Sequence, residues 1–303
     1  LLLAGCSGGS DGATDRGREI SIVASTNAYG DIAKAVVGDR ADVTSIITSR
    51  AQNPHEYEAT TRDRLAIEQA SVVVQNGAGY DSFMTTLVAT SDADPVVVTA
   101  TGLSGLLDIA PTDDHDHGGH AHAAGLNEHV WYDLDTAAKV AEELCGQMTK
   151  LDADNALSYR KNYRAFAHEV DELRASASDL KKSASGKKVA TIESVPLYLL
   201  QRVGLVNRTP SEFGRAEEEG SDVPPQELQR TLDLFTDEKI ELLAYNRQTA
   251  TGTTKKVRAA AVAADVRVVD FSETLPDDKS YIEWMQGNLD NIAAALVARG
   301  HVN

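Results

Sequence analysis

The sequence predicts an α/β protein of two lobes with mostly parallel sheets, joined by a long rigid helix. Two observations predict it. Short β-branched segments alternate with helical ones twice, once before residue 101 and again after residue 186. Between these runs lies a long stretch, residues 155–182, that reads as helix and carries no glycine or proline. Alternation of this kind gives parallel sheets covered by helices on both faces.

In the first run, Ile20–Ser25 reads as a strand and Asp31–Gly38 as a helix closed by glycine. Asp42–Thr48 is a second strand, followed by the loop AQNPHEYEAT and the helix RDRLAIEQA. Then come the strand-and-turn segment SVVVQNGAG, the helix DSFMTTLVA and the strand Pro95–Ala100. Gly77 and Gly79 have the start of a dinucleotide-binding loop, but Ser82 stands where a third glycine belongs. From Thr112 to Gly125 (TDDHDHGGHAHAAG) all apolar periodicity disappears. Beyond HVWYDL, Asp135 to about Ser183 reads as helix, interrupted near Leu151–Asp154. The part after the interruption, with apolar Leu157, Tyr163, Phe166, Val170 and Leu173, would run roughly 43 Å at about 1.5 Å per residue. That length suits a strut between two bodies.

The second run opens with the strand Lys187–Ile192 and the helix VPLYLLQRVG. EEEGSDVP reads as a polar loop, and VPPQELQRTLDLFTDE as a helix with proline near its start. IELLAYNR is a strand, GTTKKVRAAAVAAD a helix, VRVVDFS a strand and DKSYIEWMQGNLDNIAAALVARG a closing helix. The organisation expected is a tether over residues 1–18, a first lobe over 19–150 with a histidine-rich loop at 112–125, a linking helix over 151–185, and a second lobe over 186–303.

The chain has 303 residues, 46 acidic and 29 basic, for a net charge of −17. An acidic surface repels phosphate backbones, which excludes nucleic acid as an expected partner. No run of about 18 apolar residues occurs, so no membrane-spanning helix is expected. Leu1-Leu2-Leu3-Ala4-Gly5-Cys6, followed by SGGSDGATDRG, reads as the end of a secretory signal and a flexible tether. Leu-Ala-Gly-Cys resembles the lipobox of bacterial lipoproteins, which makes Cys6 the expected lipidation site and places the body outside the cytoplasm. The second cysteine, Cys145, lies on a helical stretch and reads as a small core residue.

Histidine carries the chemistry. Of the eight in the chain, His115, His117, His120 and His122 alternate with carboxylates and glycines in one loop, a flexible chelating tract for a borderline cation such as Zn²⁺. His55 follows a strand in NPHEYE, where parallel sheets place ligand loops, and Pro54 stiffens its backbone. His129 sits in NEHVWYD, where the chain returns from the histidine loop. Either alone reads as a structural histidine; together with the chelating loop they become candidates for one metal site. Closed sites use about four ligands, and Glu193, Asp270 and Glu273 each follow a strand at the carboxyl edge of the second lobe. Spacing does not choose between Asp270 and Glu273. His168 and His301 read as surface residues.

Taken in order, these phrases resemble the substrate-binding lipoproteins of bacterial manganese and zinc ABC transporters. The resemblance runs through LAGC, DIAKAVVGDR, NPHEYEATTRD, VVVQNGAGYD, HVWYDL after a His-rich insertion, TIESVPLYLLQRVGL, EEEGSDVPPQEL and FSETLPDDKSYIEWMQGNLDNI. It implies a metal site in the cleft between the lobes, with ligands at His55, His129, Glu193 and Glu273. The family's fourth ligand is commonly Asp; Glu273 in Phe271-Ser272-Glu273-Thr274 reaches one methylene further, and Asp270 stays the alternative. The glycine turn at 77–79 becomes structural. Two imidazoles and two carboxylates would balance one divalent cation. Glu at the third position leans towards Mn²⁺ and the histidine loop towards Zn²⁺, with Zn²⁺ slightly favoured. The implied protein is a lipid-anchored extracytoplasmic monomer that hands a metal ion to a membrane permease. It is not expected to be an enzyme: HExxH and Walker A patterns are absent, and GxSxG occurs only in the glycine-rich stretch from Gly5 to Gly12. The competing readings are a zinc-dependent hydrolase and a surface adhesin.

Overall fold

In a computed structural model the described residues are 20–106 and 126–297. The lipobox with Cys6, the tether, the histidine loop with His115, His117, His120 and His122, and His301 lie outside them.

The first sheet holds β1 (Ser21–Thr26), β2 (Asp42–Ile47), β3 (Val72–Gln75) and β4 (Val96–Thr99), all parallel, in the order β2-β1-β3-β4. The second holds β5 (Lys188–Thr191), β6 (Val206–Asn207), β7 (Ile240–Asn246) and β8 (Arg267–Phe271), all parallel, in the equivalent order β6-β5-β7-β8. Both sheets thus repeat one topology, and in each the chain leaves the first strand towards one edge and later resumes on its other side. That reversal opens a crevice at the carboxyl ends of β1 and β3, and of β5 and β7.

Helices follow the strands. They are α1 (Asn27–Val37), α2 (Thr61–Gln69), α3 (Ser82–Ala89), α4 (Ala100–Ser104) and α5 (Leu134–Leu151), then α6 (Ala156–Ala184), α7 (Leu197–Arg202), α8 (Ser211–Glu218), α9 (Pro225–Asp237), α10 (Gly252–Ala263) and α11 (Tyr281–Leu296). Local chemistry sets many of their starts. Thr60 with Asp63, Thr251 with Thr254 and Ser280 with Glu283 form capping boxes, and Asp133 caps α5 by accepting from the Thr136 N–H at 3.0 Å.

Several expectations need adjustment. α1 begins at Asn27, four residues before Asp31; Gly30 sits inside it because a Cβ there would meet the Ser45 Oγ at 2.0 Å. The EEEGSDVP loop starts late: Glu217 and Glu218 form the last turn of α8, with Phe213 and Ala216 buried below them. On α6, Leu157 is 81 % exposed, and Tyr159 takes the buried place at that end. The interruption before α6 is held by Asp152, whose carboxylate accepts from the Tyr159 hydroxyl at 2.6 Å and from Asn155 at 2.8 Å. His168 is exposed and Cys145 buried, both as expected.

The 29-residue α6 packs against α1, α5 and α11. Its buried Phe166, Val170 and Leu173 belong to one core cluster that also contains Ile22 and Val74 of the first sheet and Val189 and Phe271 of the second. The strut is therefore part of a shared core. Direct hydrogen bonds also join the two halves. Asn27 pairs reciprocally with the backbone of Leu275, both at 2.9 Å, and the Tyr132 hydroxyl donates to the Ser272 carbonyl at 2.8 Å.

Candidate metal centre

One cavity of about 610 Å³ is lined by His55 and His129 from the first half and by Glu193 and Glu273 from the second. Glu193 and Glu273 stand two residues past β5 and β8, His55 in the loop after β2, and His129 at the turn that leads into α5.

His55 lies in the 3₁₀ turn Pro54–Glu56 after β2, where Asn53 Oδ1 accepts from the His55 N–H at 3.1 Å. His129 is 1 % exposed and starts the turn Val130–Tyr132. Asn127 Oδ1 lies 3.1 Å from the His129 backbone nitrogen and 2.7 Å from its Nδ1. An acceptor at Nδ1 places the ring proton there and leaves the Nε2 lone pair for a cation. Tyr80 packs edge-on to both imidazoles, its ring centroid 5.0 Å from His55 and 5.8 Å from His129, and Trp131 backs His129 at 5.1 Å.

Opposite, Glu193 and Glu273 are 4 % and 3 % exposed. Asn246, the last residue of β7, reaches both carboxylates through one amide nitrogen, 2.9 Å from Glu193 Oε2 and 2.8 Å from Glu273 Oε1. The Thr249 hydroxyl donates to Glu193 Oε1, and Gln248 Oε1 accepts from the Glu273 N–H at 2.7 Å. Glu273 Oε2 is buried and has no hydrogen-bond partner among the described residues. Burial, and then the negative charge of Glu193, push the Glu273 carboxyl up to about 8, and burial likewise raises Glu193. Nearby Glu218 is raised to about 7, mainly by burial, although the Ser194 N–H donates to it. Among the described residues the cavity lining carries glutamates and two histidines, and no lysine or arginine. Buried carboxylates without a counter-charge attract either protons or a cation.

Asp270 lies elsewhere. It is exposed on β8, pairs with Arg247 at 2.5 Å and lines a separate cavity of about 470 Å³. Strand geometry accounts for this: successive side chains point to opposite faces, and Phe271 takes the buried one. Glu128 escaped the sequence reading altogether. It is 5 % exposed, and one ligand atom from each of His55, Glu128 and His129 falls within 4.8 Å of the others. Its only sequence signal is adjacency to His129. The Gly77–Gly79 turn is structural in its geometry, with positive φ at Gly77, Ala78 and Gly79. The Asp81 carboxylate closes it, accepting from the N–H groups of Asn76 and Gly77 at 2.6 and 2.8 Å.

A family model described as the periplasmic component A of the zinc-uptake complex matches residues 22–295. The chain belongs to this family. Across 98 % of its length it is 27 % identical to the manganese-binding lipoprotein MntA of Halalkalibacterium halodurans, covering 95 % of that protein. To the manganese ABC transporter substrate-binding lipoprotein PsaA of Streptococcus pneumoniae it is 25 % identical, with 98 % and 95 % covered. The fold matches the periplasmic zinc-binding protein TroA of Treponema pallidum with a TM-score of 0.75 at 17 % identity, over 92 % of this chain and all of that one. Family membership makes the chain a solute-binding protein of a metal-uptake ABC transporter, and not an enzyme. Among the described residues no helix is long and apolar enough to cross a membrane.

Proposed function

We propose that the chain captures a divalent transition metal, zinc in preference to manganese, in the cavity between its two sheets and delivers it to a membrane permease. His55, His129, Glu193 and Glu273 hold the ion in this reading. The observation that carries it is the facing of two imidazoles by a pair of buried, proton-seeking carboxylates, one oxygen of which has no hydrogen-bond partner among the described residues. A cation placed there takes the place of protons and relieves the repulsion between Glu193 and Glu273. Zinc is preferred because nitrogen and oxygen sites bind it more tightly than manganese. The manganese reading draws on the names of the two relatives and on a donor set rich in carboxylates. Lipid on Cys6 would anchor the body on the outer face of the membrane, and His115, His117, His120 and His122 would gather scarce zinc.

The test is a Zn²⁺/Mn²⁺ competition titration on metal-free protein, with His55→Ala alongside. Tighter zinc binding that His55→Ala abolishes is the expected result. Equal or reversed affinity would overturn the zinc preference, and tight binding that survives His55→Ala would overturn the site. Deleting residues 115–122 should leave the tight site intact and slow zinc capture from dilute solution.

A further inference from the structure

We propose that Glu128 is a metal donor, completing with His55 and His129 a three-donor half-site on the first sheet that receives the ion before Glu193 and Glu273 engage it. This rests on the reading of the cavity as a metal site. Three observations carry it. The Glu128 Oε1 lies 3.8 Å from His55 Nε2, too far for a hydrogen bond. It is the separation expected of two donors on one ion, since ligands about 2.1 Å from a shared metal stand roughly 3 to 4 Å apart. His129 brings a third ligand atom within 4.8 Å of both, and the tight grouping excludes Glu193 and Glu273.

The backbone of Glu128 is also fixed from below. The buried Asn76 amide donates to its carbonyl at 3.0 Å, and Val130 N–H donates to the same oxygen at 2.7 Å. Asn76 is itself held by the Tyr29 hydroxyl at 2.5 Å. The Glu128–His129 pair is thus presented by a rigid turn. Across the cavity the opposing carboxylates are occupied with Asn246 and Thr249, which must share or release them as the ion arrives. A preassembled trio on one side and a tethered pair on the other give the ion an order of contact.

The experiment uses Co²⁺ and Zn²⁺ on metal-free protein carrying Glu128→Gln, with Glu128→Asp as the variant that keeps the carboxylate. Glu128→Gln should weaken Zn²⁺ binding by at least about tenfold and alter the Co²⁺ d–d absorption. Glu128→Asp should recover much of the affinity. A Glu193→Gln/Glu273→Gln double variant should keep weak Co²⁺ binding that a further Glu128→Gln removes. The proposal is overturned if Glu128→Gln changes neither affinity nor spectrum while His55→Ala abolishes binding. Tight binding that survives His55→Ala would instead bring down the metal reading of the cavity itself.

Discussion

At the scale of single residues, the site is a place where proton and metal compete. Glu273 has its carboxyl at about 8 in the fold against an ordinary 4.5. A raised carboxyl favours the folded state fully below its unfolded value and loses that contribution as pH rises through the folded value. The metal-free protein should therefore lose stability, on the order of a few kcal/mol, between about pH 5 and 8. Thermal midpoints across that range should show the decline, and Glu273→Gln should flatten it. An unchanged slope in Glu273→Gln would show that Glu273 is not its source. With metal bound the same carboxyl is held ionised, so binding at pH 7 should release protons, measurable as a dependence of calorimetric enthalpy on the buffer. These positions differ in how visible they are in the sequence. His55, Glu193 and Glu273 stand just past strand segments, where an open sheet presents its crevice, and so the residue string suggests them. Glu128 has no such mark, because an acid in an irregular turn belongs to no period. Glu217 and Glu218 look like solvated charge until the helix beneath them is known.

At the scale of elements, strands and helices followed hydrophobic period and caps closely enough to be readable, and the exceptions have physical causes. β6 is two residues long, too short to show alternation. The first turn of α1 was hidden by Asn27 and Gly30, which are poor helix formers kept there by pairing with Leu275 and by the close approach of Ser45. Of the five apolar positions read along α6, the fold buries Phe166, Val170 and Leu173, leaves Tyr163 half-buried and exposes Leu157. Spacing does not say that this face joins both halves. Phe166 is 2 % exposed within the shared core and packs its ring 6.1 Å from Tyr281 of α11. Phe166→Ala should cost about 3–5 kcal/mol. Because the core is continuous, the loss should appear as a lower single transition in calorimetry. A second transition, with one half melting alone, would show that α6 does not couple them.

At the scale of the whole molecule, the same coupling limits how the cavity can open. Wide hinge closure needs a connection of a few residues that absorb large backbone changes, with little packed across it. Here the connection is a 29-residue helix with buried side chains on both bodies. Around the cavity the halves are further joined by Asn127 to the Ser194 carbonyl at 3.0 Å, the Tyr198 hydroxyl to the Asn127 carbonyl at 2.7 Å, and the Tyr281 hydroxyl to the Trp131 carbonyl at 2.7 Å. Asn127 is also the residue that sets the His129 ring, so a large swing would disturb the imidazole that the ion needs. Loading must then proceed by small local shifts, of Asn246, Thr249 and the two carboxylates they hold. Small-angle scattering profiles of metal-free and metal-loaded protein should superimpose, while hydrogen exchange slows around Glu193, Thr249 and Glu273. A clear compaction on loading would mean that the interlobe hydrogen bonds break in the metal-free state, and that α6 bends where its packing says it should not.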